Sequence, residues 1–238
     1  MRIGTWNIGE DERNKDGILD IASYDYIVNM IKNEKLDVIC LQEAITASKD
    51  LPIIEKYIKG NTSLKYVAHL ELSISHVDKN NSIGVVICSK YELKNTENLM
   101  FDNPNVTYYN KEKGKTYRPA DKGMIVTDID DVRIVTGHGI PFYAFHIAKN
   151  ERGQYCKKVE EDILLKCKDK KWLLLGDLNE EDMKVVFPKI NKVTKELIKE
   201  ATYRDKIYDH ILVSDRLSSS NAKIVDTCFD HRMCIVDI

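Results

Sequence analysis

The sequence has few of the residues that divide a chain into separate units. It contains 5 prolines and 11 glycines in 238 residues, with no Pro/Gly/Ser-rich stretch, internal repeat or low-complexity tract. A chain of this length fits one large domain or two small ones, and its 43% hydrophobic content is enough for a sizeable core. Because no linker is visible, the sequence favours one domain.

The sequence also lacks long apolar runs, because its longest uninterrupted apolar stretch is only about as long as a strand. A membrane-spanning helix needs about 20 apolar residues. Met1 leads almost directly into a strand-like segment at residues 2–6, which leaves no room for a signal peptide. We therefore expect a cytoplasmic protein without a membrane span.

Cysteine pairs and an excess of charge of one sign are absent as well. The 6 cysteines form no CxxC pair, and Cys40, Cys88 and Cys234 lie within apolar strand-like runs. This pattern is typical of reduced core thiols rather than of a disulfide framework or a zinc site. The formal net charge of -2 gives no overall attraction to nucleic acid, so such binding would need a local basic patch.

The apolar residues that are present follow strand and helix periods. Strand-like runs occupy residues 37–41, 82–88, 123–129, 133–136, 172–175, 210–213 and 234–238. Helical spacing occurs over residues 18–31 and 159–167, and more weakly near 193–201. Strands outnumber helices and some are adjacent in sequence, which favours two stacked sheets with helices outside over a doubly wound parallel sheet.

Four short polar segments end or interrupt these apolar runs. They are Thr5-Trp6-Asn7, Leu41-Gln42-Glu43, Gly176-Asp177-Leu178-Asn179 and Asp230-His231. A site built from all four needs nearly the whole chain folded together, which again favours a single domain over residues 1–238.

Together with the Asp-His-Ile-Leu-Val-Ser stretch at 209–214, these motifs resemble those of the endonuclease/exonuclease/phosphatase (DNase I-like) superfamily, in the same order. The resemblance extends from Ile3 to the C-terminus. It implies an α/β fold, a four-layered α/β/β/α sandwich, and metal-dependent hydrolysis of phosphoesters.

The chemistry of that reaction explains the residue types. A site for phosphodiester hydrolysis must neutralise the phosphoryl oxygens, activate a water and stabilise the leaving oxygen. Glu43 supplies a hard carboxylate, and its family equivalent binds Mg²⁺; Mn²⁺ is the alternative ion. Mg²⁺ keeps several waters, so one or two protein carboxylates suffice. By resemblance, Asn7 helps to place the metal or the phosphate, and Asp230 supports the metal.

Asp177 and Asn179 are two residues apart, so an extended segment projects them to the same side. Asp177 can then orient or deprotonate the water while the Asn179 amide holds a phosphoryl oxygen. Taken alone, the pair is better explained as a turn cap. The other motifs favour the catalytic interpretation.

Two of the 6 histidines are candidates for catalysis. His138 and His231 match the two family histidines that flank the scissile phosphate, and Asp209 matches the carboxylate that orients the second one. Such a carboxylate favours the charged imidazole. Ordinary core or surface roles are expected for His69, His76, His146 and His210. Strand alternation points His210 away from the face that carries Asp209.

The segment from Tyr108 to Lys122 is the candidate substrate-binding region. It carries Tyr108, Tyr109, Lys111, Lys113, Lys115, Tyr117, Arg118 and Lys122 against Glu112 and Asp121. Such a mixture can hold phosphates and stack bases, and a solvated charged loop explains it equally well. Arg118 before Pro119 resembles the Arg-Glu-Pro element of DNase I-like nucleases, although the Glu is missing. Arg118 and Tyr117 are the predicted substrate contacts.

Some subfamilies fit less well. Asn7 is not followed by the Gly-Leu-Arg continuation of exonuclease III-type abasic-site enzymes, and Leu178 stands where they have Phe. The additional basic motifs of inositol phosphatases are not apparent, and a sphingomyelinase toxin would be expected to carry secreted-type disulfides.

The leading hypothesis is a monomeric Mg²⁺- or Mn²⁺-dependent phosphodiesterase that acts on nucleic acid, with DNA the expected polymer, by direct in-line attack of water. An alternative is hydrolysis of a small phosphorylated metabolite, nucleotide or lipid headgroup. A shallow cleft with the segment Tyr108 to Lys122 on its rim would favour nucleic acid, and a closed pocket the small substrate. A catalytically silent binding module is a further alternative, against which the complete set of polar motifs argues.

Overall fold

The computed structural model describes residues 1–9, 21–48, 53–75, 79–111 and 114–238. In this part of the chain, two six-stranded mixed sheets pack face to face. The first sheet contains β1 (Arg2–Asn7), β2 (Val38–Ser48), β3 (Tyr66–Ile74), β4 (Asn81–Ser89), β13 (Ser220–Val225) and β14 (Met233–Asp237). Their spatial order is β13-β14-β1-β2-β4-β3, with β1 parallel to β2 and antiparallel to β14.

The second sheet has the order β11-β12-β10-β9-β8-β5. These strands are β5 (Lys94–Met100), β8 (Gly123–Ile129), β9 (Val132–His138), β10 (Lys171–Asp177), β11 (Thr194–Glu196) and β12 (Asp209–Ser214). A separate hairpin pairs β6 (Tyr108–Asn110) with β7 (Lys115–Tyr117).

Helices cover the outer faces of the sheets. They are α1 (Ile21–Asn33), α2 (Ile54–Asn61), α3 (Lys149–Lys166) and the short α4 (Met183–Val186), with 3₁₀ turns at Phe142–Phe145 and Ile190–Lys192. None of the helices described is long and apolar enough to cross a membrane.

Three apolar clusters separate the four layers. The central cluster, with Leu173 and Ile211, lies between the two sheets. A second cluster, with Ile27 and Ile58, packs α1 and α2 against the first sheet. A third, with Ile163, packs α3 against the second sheet. The α/β/β/α sandwich predicted from the sequence is therefore confirmed.

Strand alternation sends polar side chains toward one end of the space between the sheets. In β10, Leu173 and Leu175 face the central cluster, while Trp172 and Leu174 face the helix layer. The next inward position is Asp177, the last residue of the strand. The same period brings His138 to the inner face at the end of β9, and the strand register pairs it with Asp177.

The other strands obey the same rule. Ile3 of β1 faces the central cluster, so Asn7 lies on the same face at the end of the strand. Ile211 of β12 also faces inward, which turns Asp209 inward and His210 outward. In the register of β10 and β12, Asp209 pairs with Asp177.

Gly176 allows the close contact between β9 and β10 beside this end of the sandwich. Its φ of 146° lies in a region that L side chains rarely adopt, and a Cβ there would lie 2.2 Å from the carbonyl oxygen of Gly137. Only glycine fits both requirements. The first residue of the motif Gly-Asp-Leu-Asn is therefore required by the backbone conformation and by the close approach of Gly137.

All of the strands and both long helices predicted from the sequence are present, but the helix predicted near residues 193–201 is wrong. Residues Thr194–Glu196 form edge strand β11, which pairs antiparallel with β12, and Ile198 is buried in the central cluster. The helix predicted over residues 18–31 is present from Ile21, while Ile18 lies outside the described residues.

Candidate active site

The polar ends of strands from both sheets surround a cavity of about 640 Å³. Its lining combines carboxylates, amides, imidazoles, basic side chains and aromatic rings. The lining residues are Asn7, Gly9, Glu43, Lys115, Tyr117, Arg118, Ala120, Lys122, His138, Pro141, Tyr143, Ala144, Phe145, Asp177, Asn179, Tyr203, Asp230 and His231. Nine of the ten side chains predicted from the sequence line this cavity, and the tenth, Asp209, lies directly behind His231.

Asn7 joins the two sheets at the base of the cavity. Its Nδ2 donates hydrogen bonds to Asp177 Oδ2 at 2.8 Å and to Glu43 Oε1 at 3.3 Å. Its Oδ1 accepts a hydrogen bond from the backbone N–H of Gly9 at 3.0 Å. In this conformation the Asn7 side-chain NH2 group holds the Glu43 and Asp177 carboxylates close to each other.

Glu43 occupies an irregular point in β2. Its φ is 54°, and the pairing with β4 shifts register between Leu41 and Ala44. Such a bulge redirects a side chain from the regular alternation of a strand. The Glu43 side chain is 28% exposed, so its carboxylate is accessible from the cavity.

Asp177 is almost fully buried and accepts two hydrogen bonds. Its Oδ1 accepts from the backbone N–H of Asn179 at 3.0 Å, and its Oδ2 accepts from Asn7. Burial raises the pKa of this carboxyl to about 6, because the attraction of His231 and the bond from Asn7 only partly offset desolvation. The negative charges of Asp209 and Glu43 act in the same direction as burial.

Asn179 follows in a tight turn with a φ of 54°. Its Nδ2 donates to the carbonyl oxygen of Gly139 at 3.2 Å. The hydrogen bond from its backbone N–H to Asp177 closes an Asx turn. The two residues therefore cap a turn and also line the cavity.

His231 and Asp209 form a buried ion pair on one side of the cavity. The Nδ1 of His231 lies 2.8 Å from Asp209 Oδ2, and its Nε2 lies 3.9 Å from Asp177 Oδ2. Burial alone would lower the pKa of this imidazole, but the charge and hydrogen bond of Asp209 raise it to about 10. His231 is therefore a cation at neutral pH and presents Nε2 toward Asp177.

His138 lies close to the same carboxylates. Its Nε2 is 3.5 Å from Asp177 Oδ2 and 3.9 Å from Glu43 Oε1. The Nζ of Lys122 approaches the two ring nitrogens at 3.0 and 3.1 Å. Lys122 was recognised in the sequence only as part of a basic segment; its position next to β8, which pairs with β9, is what brings it to His138.

The remaining predicted residues lie on the rim. Asp230 is exposed, and its negative charge contributes to raising the pKa of His231. Tyr117 ends β7 and is 38% exposed, and Arg118 follows it. The predicted loop thus contains a hairpin whose second strand borders the cavity.

Two tyrosines of the cavity wall, Tyr143 and Tyr203, were not predicted from the sequence. Tyr143 belongs to the 3₁₀ turn Phe142–Phe145, and Tyr203 lies in the segment before β12. Neither stands in a motif, so only their spatial position identifies them.

The other described histidines lie outside the cavity. His69 Nδ1 is 3.0 Å from Glu55 Oε2, and the ring of His146 packs edge-on to Tyr108 at 4.9 Å. His210 points away from Asp209, as alternation predicts, with Nδ1 2.8 Å from Glu196 Oε2. His76 lies outside the described residues.

The His210–Glu196 pair is expected to stabilise the fold, and this expectation can be tested through its pH dependence. Burial lowers the pKa of His210, but Glu196 and the Glu180 carbonyl outweigh burial and raise it. The folded chain therefore binds this proton more tightly than the unfolded one, so the stabilisation is complete below the unfolded-state pKa of about 6.5 and decreases as pH rises through the folded-state pKa. We expect Glu196→Gln to unfold at lower urea than the wild type at pH 5.5, with a smaller difference at pH 9. A difference that grows with pH would contradict this.

The oxygen donors of the cavity suit a hard divalent cation. No group of three or more His, Cys, Asp or Glu side chains in the described ranges is arranged to hold a metal ion. Mg²⁺ does not require one, because it retains several waters and is bound by one or two carboxylates. Glu43, with a partly exposed carboxylate beside the Asn7 amide, fits such an ion.

Comparisons with known proteins concern the family and the fold of the chain. The sequence model of the Endonuclease/Exonuclease/phosphatase family matches residues 4–229. No curated protein matches the chain in sequence.

Solved structures with the same fold have different activities. The human Nocturnin catalytic domain with bound sulfate anion has a TM-score of 0.68 at 12% identity, covering 100% of this chain and 94% of that one. A mannosyl-6-phosphatase from Bacteroides thetaiotaomicron has a TM-score of 0.63 at 14% identity, covering 100% and 98%. An AP endonuclease from Archaeoglobus fulgidus has a TM-score of 0.61 at 15% identity, again covering 100% and 98%. At these identities the likeness shows the fold alone.

Proposed function

Since the chain belongs to the endonuclease/exonuclease/phosphatase family and is therefore a hydrolytic phosphoesterase, we propose that it cleaves phosphodiester bonds in nucleic acid with Mg²⁺ or Mn²⁺. The family is generally dependent on a divalent metal. The observation that carries the proposal is the rim of the cavity, where Lys115, Tyr117 and Arg118 stand beside the catalytic carboxylates and imidazoles. Basic and aromatic side chains together suit a phosphate backbone with bases.

The residues of the chain can perform the steps of an in-line attack by water. Asp177, with a pKa near 6, is ionised in most molecules at neutral pH and can accept the proton of the attacking water. The His231 cation neutralises the charge of the phosphoryl oxygens, and the His138 imidazole, which lines the same cavity, helps to position them. The proposed role of Asn179 is to hold a phosphoryl oxygen through its amide. No covalent enzyme intermediate is required.

Glu43 would hold the metal ion, which would supply positive charge to the phosphoryl oxygens when bound, and Asn7 would help to place it by donating from Nδ2 to the Glu43 carboxylate. The Asn7 amide keeps the Glu43 and Asp177 carboxylates within reach of one another. Asp230 lies at the open side of the cavity and is proposed to support the metal site.

Removing the Glu43 charge should weaken metal binding more than it affects the fold. We expect Glu43→Gln to raise the Mg²⁺ concentration for half-maximal activity by about tenfold or more, because a carboxylate ligand becomes a neutral amide. The measurement is hydrolysis rate against Mg²⁺ concentration, with thermal melting in EDTA as the control for folding. An unchanged Mg²⁺ dependence would remove Glu43 from the metal site.

The test of the proposed function is the nicking of supercoiled and of single-stranded circular DNA by the purified protein with Mg²⁺ or Mn²⁺, beside Asp177→Ala. A circle has no ends, so nicking by the wild type alone would demonstrate endonuclease action. Arg118→Ala should bind DNA more weakly whatever its sequence, and should reduce the slope of log affinity against log salt by about 1.

Arg216→Ala is the matched control for Arg118→Ala. Arg216 is 60% exposed and follows the end of β12 opposite to Asp209, so its loss removes one positive charge away from the cavity. Equal effects of the two substitutions would mean that Arg118 acts only through net charge.

A second candidate function is hydrolysis of a small phosphoester. The cavity volume of about 640 Å³ lies within the range of about 300–1,000 Å³ typical of small-molecule sites. Residues of the β6–β7 hairpin line the cavity together with Pro141, Tyr143, Ala144 and Phe145, and this shared lining favours the alternative. Failure of the wild type to act on circular or linear nucleic acid, with release of phosphate from sugar phosphates or nucleotides, would support it.

A further inference from the structure

A row of aromatic rings leads from the cavity wall to the catalytic imidazole. The rings of Tyr143 and Tyr208 are stacked with centroids 5.3 Å apart and planes inclined by 10°. Tyr208 and Tyr203 are stacked at 5.8 Å and 21°, and Tyr203 lies 4.6 Å from the ring of His231. The row therefore connects an outer tyrosine with the residue proposed to contact the phosphate.

Tyr143 is the outer end of this row. It lines the cavity, and 45% of its surface is exposed although its ring already stacks on Tyr208. Burial raises the pKa of its hydroxyl, with a further contribution from the negative charge of Asp177, which agrees with a position near the catalytic carboxylates. An exposed, prearranged aromatic surface beside a phosphoester site suits a planar ring attached to that phosphoester.

We propose that Tyr143 stacks against an unpaired nucleobase of the substrate whose phosphate is held at His231. This inference rests on the proposed function and narrows its substrate to nucleotides whose base is not inside a duplex stack. Within a duplex the faces of a base are covered by its neighbours, and they become available to a side chain only when the base is single-stranded or turned out.

The basic residues that line the cavity fit the same substrate. Lys115 and Arg118 of the hairpin side line the cavity together with Tyr143, so positive charge is available for a neighbouring phosphate while the tyrosine contacts the base. A sugar phosphate without a base could use the charges but not the ring.

The experiment compares two probes that share a sugar and a phosphate and differ in the base. Adenosine 5′-monophosphate and ribose 5-phosphate are titrated into the protein by calorimetry in EDTA, so that hydrolysis does not interfere. We expect the wild type to bind the nucleotide about tenfold more tightly, since stacking of a base on an aromatic side chain contributes an advantage of this order.

Substitutions at Tyr143 identify the ring responsible. Tyr143→Leu should lose the preference for the nucleotide, while Tyr143→Phe, which keeps a stacking ring, should retain it. Tyr66→Leu is the matched control, because Tyr66 is 46% exposed and pairs with Ser89, away from the cavity. Thermal melting of all variants checks that they fold.

Equal binding of the two probes by the wild type, including the lack of measurable binding of either, would overturn the proposal. Retention of the preference in folded Tyr143→Leu would also overturn it. The outcome is independent of the nicking assay: a nuclease without the nucleotide preference would contradict this inference alone, and a nucleotide preference without nucleic-acid cleavage would contradict the proposed polymer alone.

Discussion

Asp177→Asn is expected to lower the rate of hydrolysis by about 10³-fold or more while leaving the fold intact, because an amide cannot accept the proton of the attacking water. The substitution preserves the shape of the side chain, so the hydrogen bond from the backbone of Asn179 can remain. The measurement is the single-turnover rate at saturating Mg²⁺, on whichever phosphoester the wild type hydrolyses. A rate within tenfold of the wild type would remove Asp177 from the role of base.

The same variant should gain stability relative to the wild type as pH rises. The folded-state pKa of Asp177 is about 6 against an ordinary value of 3.8, so the wild type loses stability as pH rises between these two values. Asn carries no charge and avoids that loss, although its Nδ2 faces the Nδ2 donor of Asn7. We expect the free energy of unfolding of Asp177→Asn in EDTA, relative to the wild type, to be higher at pH 7.5 than at pH 4 by an amount on the order of 1–3 kcal/mol. A relative stability that is unchanged or lower at pH 7.5 would contradict this explanation.

His231→Gln is expected to lose both activity and stability. The rate should fall by about 10²–10³-fold, since the cation facing the phosphoryl oxygens is gone. The Asp209 carboxylate is fully buried, and within the described residues its Oδ1 has no hydrogen-bond partner. Its Oδ2 is paired with the His231 imidazolium, so removing that positive charge leaves a buried anion without a counter-charge. Urea unfolding should show a loss of about 2–4 kcal/mol at pH 7.

The double variant Asp209→Asn/His231→Gln separates the two effects. It should recover most of the lost stability, because no buried charge remains, but none of the lost activity. The pH dependence gives a second check. The folded-state pKa of His231 is about 10, so its stabilisation is complete below the unfolded value of 6.5 and disappears as pH rises through about 10. A double variant as unstable as His231→Gln would mean that the imidazole contributes by packing and not by its charge.

Much of the candidate site could be predicted because it depends on local rules. Alternation along β10 and β12 places Asp177 and Asp209 on the inner face, and a run of buried apolar residues is enough to recognise each strand. That these strand ends meet is implied by the resemblance of the ordered motifs to those of the family. The structure brings these side chains together, while their catalytic roles stay predictions.

The elements that could not be predicted depend on contacts between distant parts of the chain. The apolar residues of the segment 193–201, which are Val193, Leu197, Ile198 and Ala201, have the spacing of a helix, and only pairing with β12 at the sheet edge makes its residues Thr194–Glu196 a strand. β5 is exposed along most of its length and therefore lacks an apolar pattern. Lys122 reaches His138 through the pairing of β8 with β9, which no local signal indicates.

The position of β1 inside its sheet has a consequence for how the protein is made. β1 lies between β2 and β14, so the second partner of this strand is synthesised more than 200 residues after it. Until β14 arrives, one edge of β1 has no strand beside it, and such late, non-local pairing slows folding and exposes the chain to association with other chains. His231 lies directly before β14 in the sequence, so a growing chain cannot complete the candidate active site until this last part of the first sheet has been synthesised. Activity should therefore appear together with the final folding step, and its recovery after dilution from urea would report directly on the docking of β14.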